Sequence, residues 1–119
     1  MARPKSYRDL IAWQKAMDLA RLTYSSTEEF PNSETFGLRM QLRRSAVGVA
    51  SHIADAHGRL TDQEMKKGLG AARAALNELQ TQTELATSLR FMEQRPGEAL
   101  LDLSVEVAKL INGLIGVLG

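Results

Sequence analysis

From Met65 to Ala86 one register governs the chain. Met65, Leu69, Ala72, Leu76, Leu79, Thr83 and Ala86 are separated by alternating steps of four and three. That spacing stacks side chains along one side of an α-helix, whereas a strand alternates its faces every second residue. A register held over seven positions therefore predicts a long amphipathic helix, and it limits the partners of that helix to elements that bury a stripe. Thr61 and Glu64 form a T-D-Q-E capping box in front of it. Its end is expected around Leu89 to Met92.

The same rhythm recurs three more times. Leu10, Trp13, Met17, Ala20 and Tyr24 predict a first helix that starts near Tyr7 to Asp9 and fades before Pro31. Leu38, Leu42, Ser45, Val49, Ile53 and Ala56 predict a second, with Ser33 as its N-cap and Glu34 just inside. Phe36 is expected to pack over its start, and Gly58 to close it in a left-handed conformation. Ala46, Ala50 and Ala54 repeat every four residues beside the main stripe, which would let a neighbouring backbone approach closely. Gly48, Gly68 and Gly70 each cost about 1 kcal/mol of helix propensity against alanine; close helix packing would explain them, with a local kink as the alternative at Gly68 and Gly70. Leu100, Leu103, Val107, Leu110, Leu114 and Val117 define a fourth helix, with Pro96 in its first turn.

No segment shows clean two-step alternation. The breaks between helices are short, so neighbours should run antiparallel. The expected fold is all-α, an antiparallel up-down-up-down four-helix bundle. It forms one domain over residues 1–119, with Met1 to Ser6 as a loose arm.

The chain has no cysteine, which excludes disulfides, thiolate chemistry and cysteine-ligated zinc. No apolar run approaches the roughly 20 residues that cross a bilayer. The basic N-terminus lacks the apolar segment of a signal peptide, so a cytoplasmic protein with no membrane partner is expected. His52, Asp55 and His57 are the one cluster that invites a metal, but His57 is rotated well away from His52 and no H-E-x-x-H pattern exists. Neither Glu78 nor Glu84 opens the E-x-x-H pair of a di-iron bundle. There is no phosphate-binding glycine loop, and no serine triad is readable. The chain is expected to be a non-enzyme with no catalytic residue, metal or cofactor.

Charge offers a more specific lead. The net charge is +1, yet seven bases face three acids between Arg39 and Arg73. Arg39, Arg43 and Arg44 occupy two adjacent lines of the second helix. Arg59, Lys66 and Lys67 extend the same surface if the turn brings them round. Together these six are candidates for contact with RNA or DNA phosphates, which would position a ligand more than read its sequence. The competing reading pairs the arginines with Glu34, Asp55 or a neighbouring subunit's acids. The fourth helix carries a second apolar line, Leu101, Ile111, Ile115 and Leu118. A lone bundle would leave it exposed, so Val107, Ile111, Leu114, Ile115 and Leu118 are candidate oligomer-interface residues. Trp13, Tyr7 and Tyr24 are read as core or interface residues.

Taken together, several segments resemble one family. They are L-I-A-W-Q-K-A at Leu10 to Ala16, F-P at Phe30 and Pro31, F-G-L at Phe36 to Leu38, and Q-L-R-R-S-A at Gln41 to Ala46. S-H-I-A-D-A-H-G-R at Ser51 to Arg59, A-L-N-E-L-Q-T-Q at Ala75 to Gln82 and L-I-N-G-L-I at Leu110 to Ile115 follow in order. This series resembles the 23S ribosomal RNA intervening-sequence protein family over nearly the whole chain. The resemblance implies a four-helix bundle that assembles with itself into a ring, commonly a pentamer. For the related retroelement branch it implies nucleic-acid contact beside a reverse transcriptase. The chain departs from the family pattern at His52 for asparagine, Asp55 for glutamate, Ala56 for glycine and Gly68 for an aromatic. These changes imply a polar network rebuilt around His52, Asp55 and Arg59.

Overall fold

The structure, a computed structural model, describes residues 4–119. The order is a 3-10 turn at Tyr7–Asp9, α1 Ile11–Ser26, a 3-10 turn at Asn32–Glu34, α2 Leu38–His57, α3 Asp62–Ser88 and α4 Gln94–Gly116. Among the described residues there is no strand. The expectation of a loose arm falls partly on residues 1–3, outside the described residues. Pro4 and Lys5 precede Ser6, whose side chain caps the first 3-10 turn by accepting from Arg8 N.

Each helix meets two neighbours. α1 packs on α2 and α4, and α3 packs on α2 and α4. Cross-helix bonds fix the directions. Ser45 Oγ donates to Gln82 Oε1 at 2.8 Å, while further along α2 Ala56 meets Gly68. Arg73 donates to Asn112 at 3.0 Å and Gln80 donates to Ser104 at 3.0 Å. Rising residue numbers on one helix thus meet falling numbers on the next, so α2, α3 and α4 alternate in direction. Arg43 of α2 reaches Thr27, just past the end of α1, while His57 near the other end of α2 bonds the carbonyl of Pro4 at 2.7 Å. The fold is the expected antiparallel four-helix bundle.

The core follows from the stripes. Leu19, Leu42, Ile53, Leu69, Leu76, Leu79, Leu100 and Ile111 are all buried to within 1% of complete. Of the seven register positions of α3, none is more than 3% exposed. Thr83, the polar member, satisfies its hydroxyl on Leu79 O at 2.8 Å, so it can sit in the core at little cost. The capping box is present in part, with Glu64 N donating to Thr61 Oγ1 at 3.1 Å.

Small residues set the α2–α3 spacing. A Cβ placed on Gly68 would lie 2.7 Å from Ala56 Cβ and 2.9 Å from Ala56 Cα. Gly68 is therefore required by close approach, as expected. The other two glycines are not explained this way: a Cβ on Gly48 would come no nearer than 3.8 Å to any neighbour, and one on Gly70 would meet open space.

Three boundaries differ from the sequence expectation. α2 starts at Leu38, not Ser33. Asn32–Glu34 forms its own 3-10 turn, and Glu34 Oε1 accepts the orphan Leu38 N–H at 2.9 Å. Phe36 is 82% exposed and packs over nothing. Gly58 is right-handed, with φ −79°. The left-handed cap instead appears at Arg90, with φ 64°. Phe91 N donates to Ala86 O at 2.9 Å and Arg90 N to Thr87 O at 3.0 Å, which together make a Schellman closure of α3. A side chain in that conformation costs roughly 1–2 kcal/mol. Arg90→Gly should therefore stabilise the bundle by about 1 kcal/mol, read as a raised midpoint in urea unfolding with an unchanged slope.

Candidate functional site

The arginines of α2 are separated by the partners the fold gives them. Arg43 lies along the end of α1. Its Nε donates to Thr27 Oγ1 at 2.9 Å, and its Nη2 donates to Tyr24 O at 3.1 Å and Glu28 Oε2 at 3.3 Å. Its guanidinium also lies 4.4 Å from the centroid of the Tyr24 ring. These contacts leave its side chain 21% exposed. Arg39, one turn earlier, has a side chain 23% exposed and only a 3.9 Å ion pair with the same Glu28. Its Nε is buried without an acceptor. Arg44 is exposed and makes no ion pair or hydrogen bond among the described residues.

These three arginines, with Tyr24, Thr35, Met40 and Val47, line one cleft of about 430 Å³ at the α1–α2 seam. The one carboxylate paired with its arginines among the described residues, Glu28, is 67% exposed. Two guanidinium groups share that solvated carboxylate and Arg44 pairs with none among the described residues, which leaves an excess of positive charge along an open, concave surface. There an anion is held more strongly than on flat surface.

The other three bases lie elsewhere. Roughly 20 Å of helix axis separates Arg44 from the last turn of α2, beyond which Arg59 sits. Arg59 bonds Asp55 at 2.8 Å, and that contact holds its guanidinium further above its usual pKa, so it stays charged. Lys66 Nζ donates to Gly119 O at 2.7 Å, and Lys67 is exposed. The six candidates thus form two groups at opposite ends of the bundle, not one continuous basic face. The pairing reading holds for Arg39 and Arg43, but their acid is Glu28 and not Glu34 or Asp55.

The rebuilt polar network takes a different form from the expectation. Asp55 and Arg59 pair at the surface, where their side chains are 53% and 49% exposed. His52 is exposed and makes no hydrogen bond among the described residues. The three line a polar groove with Glu64, Lys67, Gly68 and Ala71. It carries both signs of charge in similar number, so it favours neither anion nor cation. No group of three or more histidines, aspartates or glutamates among the described residues could hold a metal.

The interface residues proposed on α4 need correction. Val107 and Ile111 are fully buried and Leu118 is 8% exposed within a single chain. They belong to the bundle's own core and cannot form an outer contact. Leu114 and Ile115 are half-buried against that core. The second apolar line exists because α4 faces both α1 and α3. Another apolar surface lies at α1–α2, mostly half-buried. Tyr7, Trp13, Met17, Ala20, Val47 and Ala54 line a groove there, and Val47 joins it to the arginine cleft. Trp13 and Tyr7 meet edge-on at 5.2 Å and are half-buried, in keeping with a packing role.

The sequence model of the 23S rRNA-intervening sequence protein family matches residues 8–113. The chain belongs to that family. The match covers all of α1, α2 and α3 and most of α4, so every lining residue of the arginine cleft falls within it. Among solved structures, the intervening-sequence fold of this chain is similar to a protein of unknown function from the S23 ribosomal protein family of Bacteroides thetaiotaomicron. The two are 20% identical, the match covers 88% of this chain and 98% of the other, and the TM-score is 0.78. At that identity the likeness concerns the fold. No curated protein matches the chain. No helix among the described residues is long and apolar enough to cross a membrane.

Proposed function

We propose that this member of the intervening-sequence family is a non-enzymatic adaptor that associates with nucleic acid by holding phosphate in the arginine cleft between α1 and α2. The observation that carries the reading is the surplus of guanidinium groups lining one concave surface, where Arg39 and Arg43 share a single exposed carboxylate and Arg44 has none among the described residues. Arg43 is pinned by Thr27, Tyr24 and Glu28, so it presents its charge without a large ordering cost on binding. Arg44 is the exposed member that can close on a ligand. Arg59, Lys66 and Lys67 lie too far along the bundle to share that site.

The reading is tested by titrating unrelated RNA and DNA sequences across a salt series. Binding should strengthen as salt falls, because phosphate contacts release counterions. Arg44→Ala should weaken it by roughly tenfold on every sequence, the loss of about one charge-assisted bond. No binding to any nucleic acid at low salt would overturn the proposal.

A second reading, which competes with the first for the same residues, is self-assembly into a ring. It is favoured by the exposed apolar residues along α1–α2: Tyr24, Met40 and Val47 are 44%, 38% and 43% exposed. Light scattering at low micromolar concentration should then give a mass several times the 13.1 kDa of one chain. Val47→Glu should lower that mass and leave helicity unchanged. A wild-type mass of one chain would contradict this reading.

A further inference from the structure

The shape of the cleft says more about its ligand than its charge does. A duplex presents phosphates on a stiff convex cylinder, and it is held by bases spread along a track. Here the bases are divided between the two ends of the bundle, with no track to join them. The cleft itself holds about 430 Å³, which falls in the range of small-ligand pockets. Its lining is also mixed. Arg39, Arg43 and Arg44 share it with Met40 and Val47, which are apolar and partly exposed, and with the Tyr24 ring and Thr35.

Resting on the phosphate-binding reading above, we infer that the cleft takes one nucleotide unit of a single strand. Its phosphate lies against Arg39 and Arg44, and its base lies against Met40 and Val47. Arg39 lines the cleft with the exposed part of its guanidinium, and its acid among the described residues, Glu28, stands 3.9 Å away at the solvent edge. A phosphate oxygen in the cleft meets the outer nitrogens of that guanidinium at closer range than Glu28 does. The Tyr24 ring is already covered by the Arg43 guanidinium at 4.4 Å. It therefore fixes Arg43 in place and leaves the base to the aliphatic wall. A single strand can splay a base out into such a cleft, and a duplex cannot.

Three consequences separate this from general backbone binding. The dependence of affinity on salt is shallow: one or two phosphates neutralised on a single strand give a log–log slope between about −0.7 and −1.4, whereas six bases on a duplex would give about −5. Free mononucleotide competes. The apolar wall matters as well as the charge.

The experiment uses the whole chain and a fluorescein-labelled single-stranded RNA hexamer at low salt. A duplex of the same length, adenosine monophosphate, adenosine and inorganic phosphate serve as comparators. Tight hexamer binding with a shallow slope, displaced by adenosine monophosphate at least tenfold better than by adenosine or by inorganic phosphate, is the expected result. Arg44→Ala and Met40→Glu each weaken the hexamer at least tenfold. Both positions are exposed, so the fold is kept, and circular dichroism confirms it. Lys109→Ala on the outer face of α4 leaves affinity unchanged. Equal or tighter duplex binding with a slope steeper than about −4, or equal displacement by inorganic phosphate, overturns the inference while leaving phosphate binding standing. Absence of binding to hexamer and duplex alike overturns both.

Discussion

Replacing Ile111 with asparagine is expected to unfold the bundle, not to split an assembly. Ile111 is fully buried, and it belongs to the core cluster shared by the four helices. Removing its side chain forfeits about 1.5–3 kcal/mol of apolar burial. An amide in its place has no partner among the aliphatic neighbours, which adds about 1–3 kcal/mol. The sum, about 2.5–6 kcal/mol, is a large share of the 5–15 kcal/mol that holds a typical domain folded. Urea unfolding by circular dichroism should show the midpoint collapse. An Ile111→Asn protein with wild-type stability and a reduced mass would mean that this residue lies at a subunit contact.

Gly68→Ala should destabilise despite its better helix propensity. Alanine gains about 1 kcal/mol in a helix interior. Its Cβ, however, would stand 2.7 Å from Ala56 Cβ and 2.9 Å from Ala56 Cα, and the second of these is backbone that cannot rotate aside. α2 and α3 must separate along a seam where small residues hold them close. Such overpacking costs typically 1–3 kcal/mol; with backbone struck at 2.9 Å the upper part of that range, about 2–3 kcal/mol, applies, so the net loss is about 1–2 kcal/mol, seen as a melting temperature lower by roughly 4 °C per kcal/mol. Ala56→Gly in the same chain removes one of the two struck atoms, the Cβ, and leaves the Cα in place. The double variant should recover part of the loss and be more stable than the two single losses predict, with a coupling of about 1 kcal/mol. Additive losses would show that the contact is not the cause.

The helices were legible because each must bury a stripe and the stripes recur without interruption. α3 is the clearest instance, since every register position from Met65 to Ala86 is inside. The width of a stripe was harder to interpret. α4 carries two apolar lines, and an exposed interface was one explanation for the second. In a four-helix ring each helix touches two neighbours, so Val107 and Ile111 are consumed by the bundle itself. Boundaries failed where local chemistry has two uses. Ser33 and Glu34 read as an N-cap and a first turn, yet the Glu34 carboxylate works from outside the helix, four residues ahead of the amide it satisfies. Gly58 could have been left-handed and is not, whereas Arg90 is left-handed without any compositional hint.

The site was half legible. Arg39, Arg43 and Arg44 were found by their spacing on one helix, and the fold does bring them to one cleft. Their partners could not be found that way. Glu28, Tyr24 and Thr27 lie 15 to 19 residues from Arg43 in the chain and meet it only because α1 returns antiparallel beside α2. The division of the six bases into two groups was equally hidden. It depends on whether a turn brings Arg59, Lys66 and Lys67 back toward Arg44, and α3 carries them along the bundle's far end instead. Adjacency in sequence marked a basic segment, and only the path of the chain decided how much of it could act together.

The central claim is that single-stranded nucleic acid binds through phosphate in the α1–α2 cleft and nowhere else on the bundle. Amide chemical shifts recorded while single-stranded RNA is added at low salt test it directly. The predicted result is a set of shifts limited to the surroundings of Tyr24, Thr35, Met40, Arg44 and Val47, saturating together. Shifts centred on Arg59, Lys66 and Lys67, or a spectrum that RNA leaves unmoved, would contradict it.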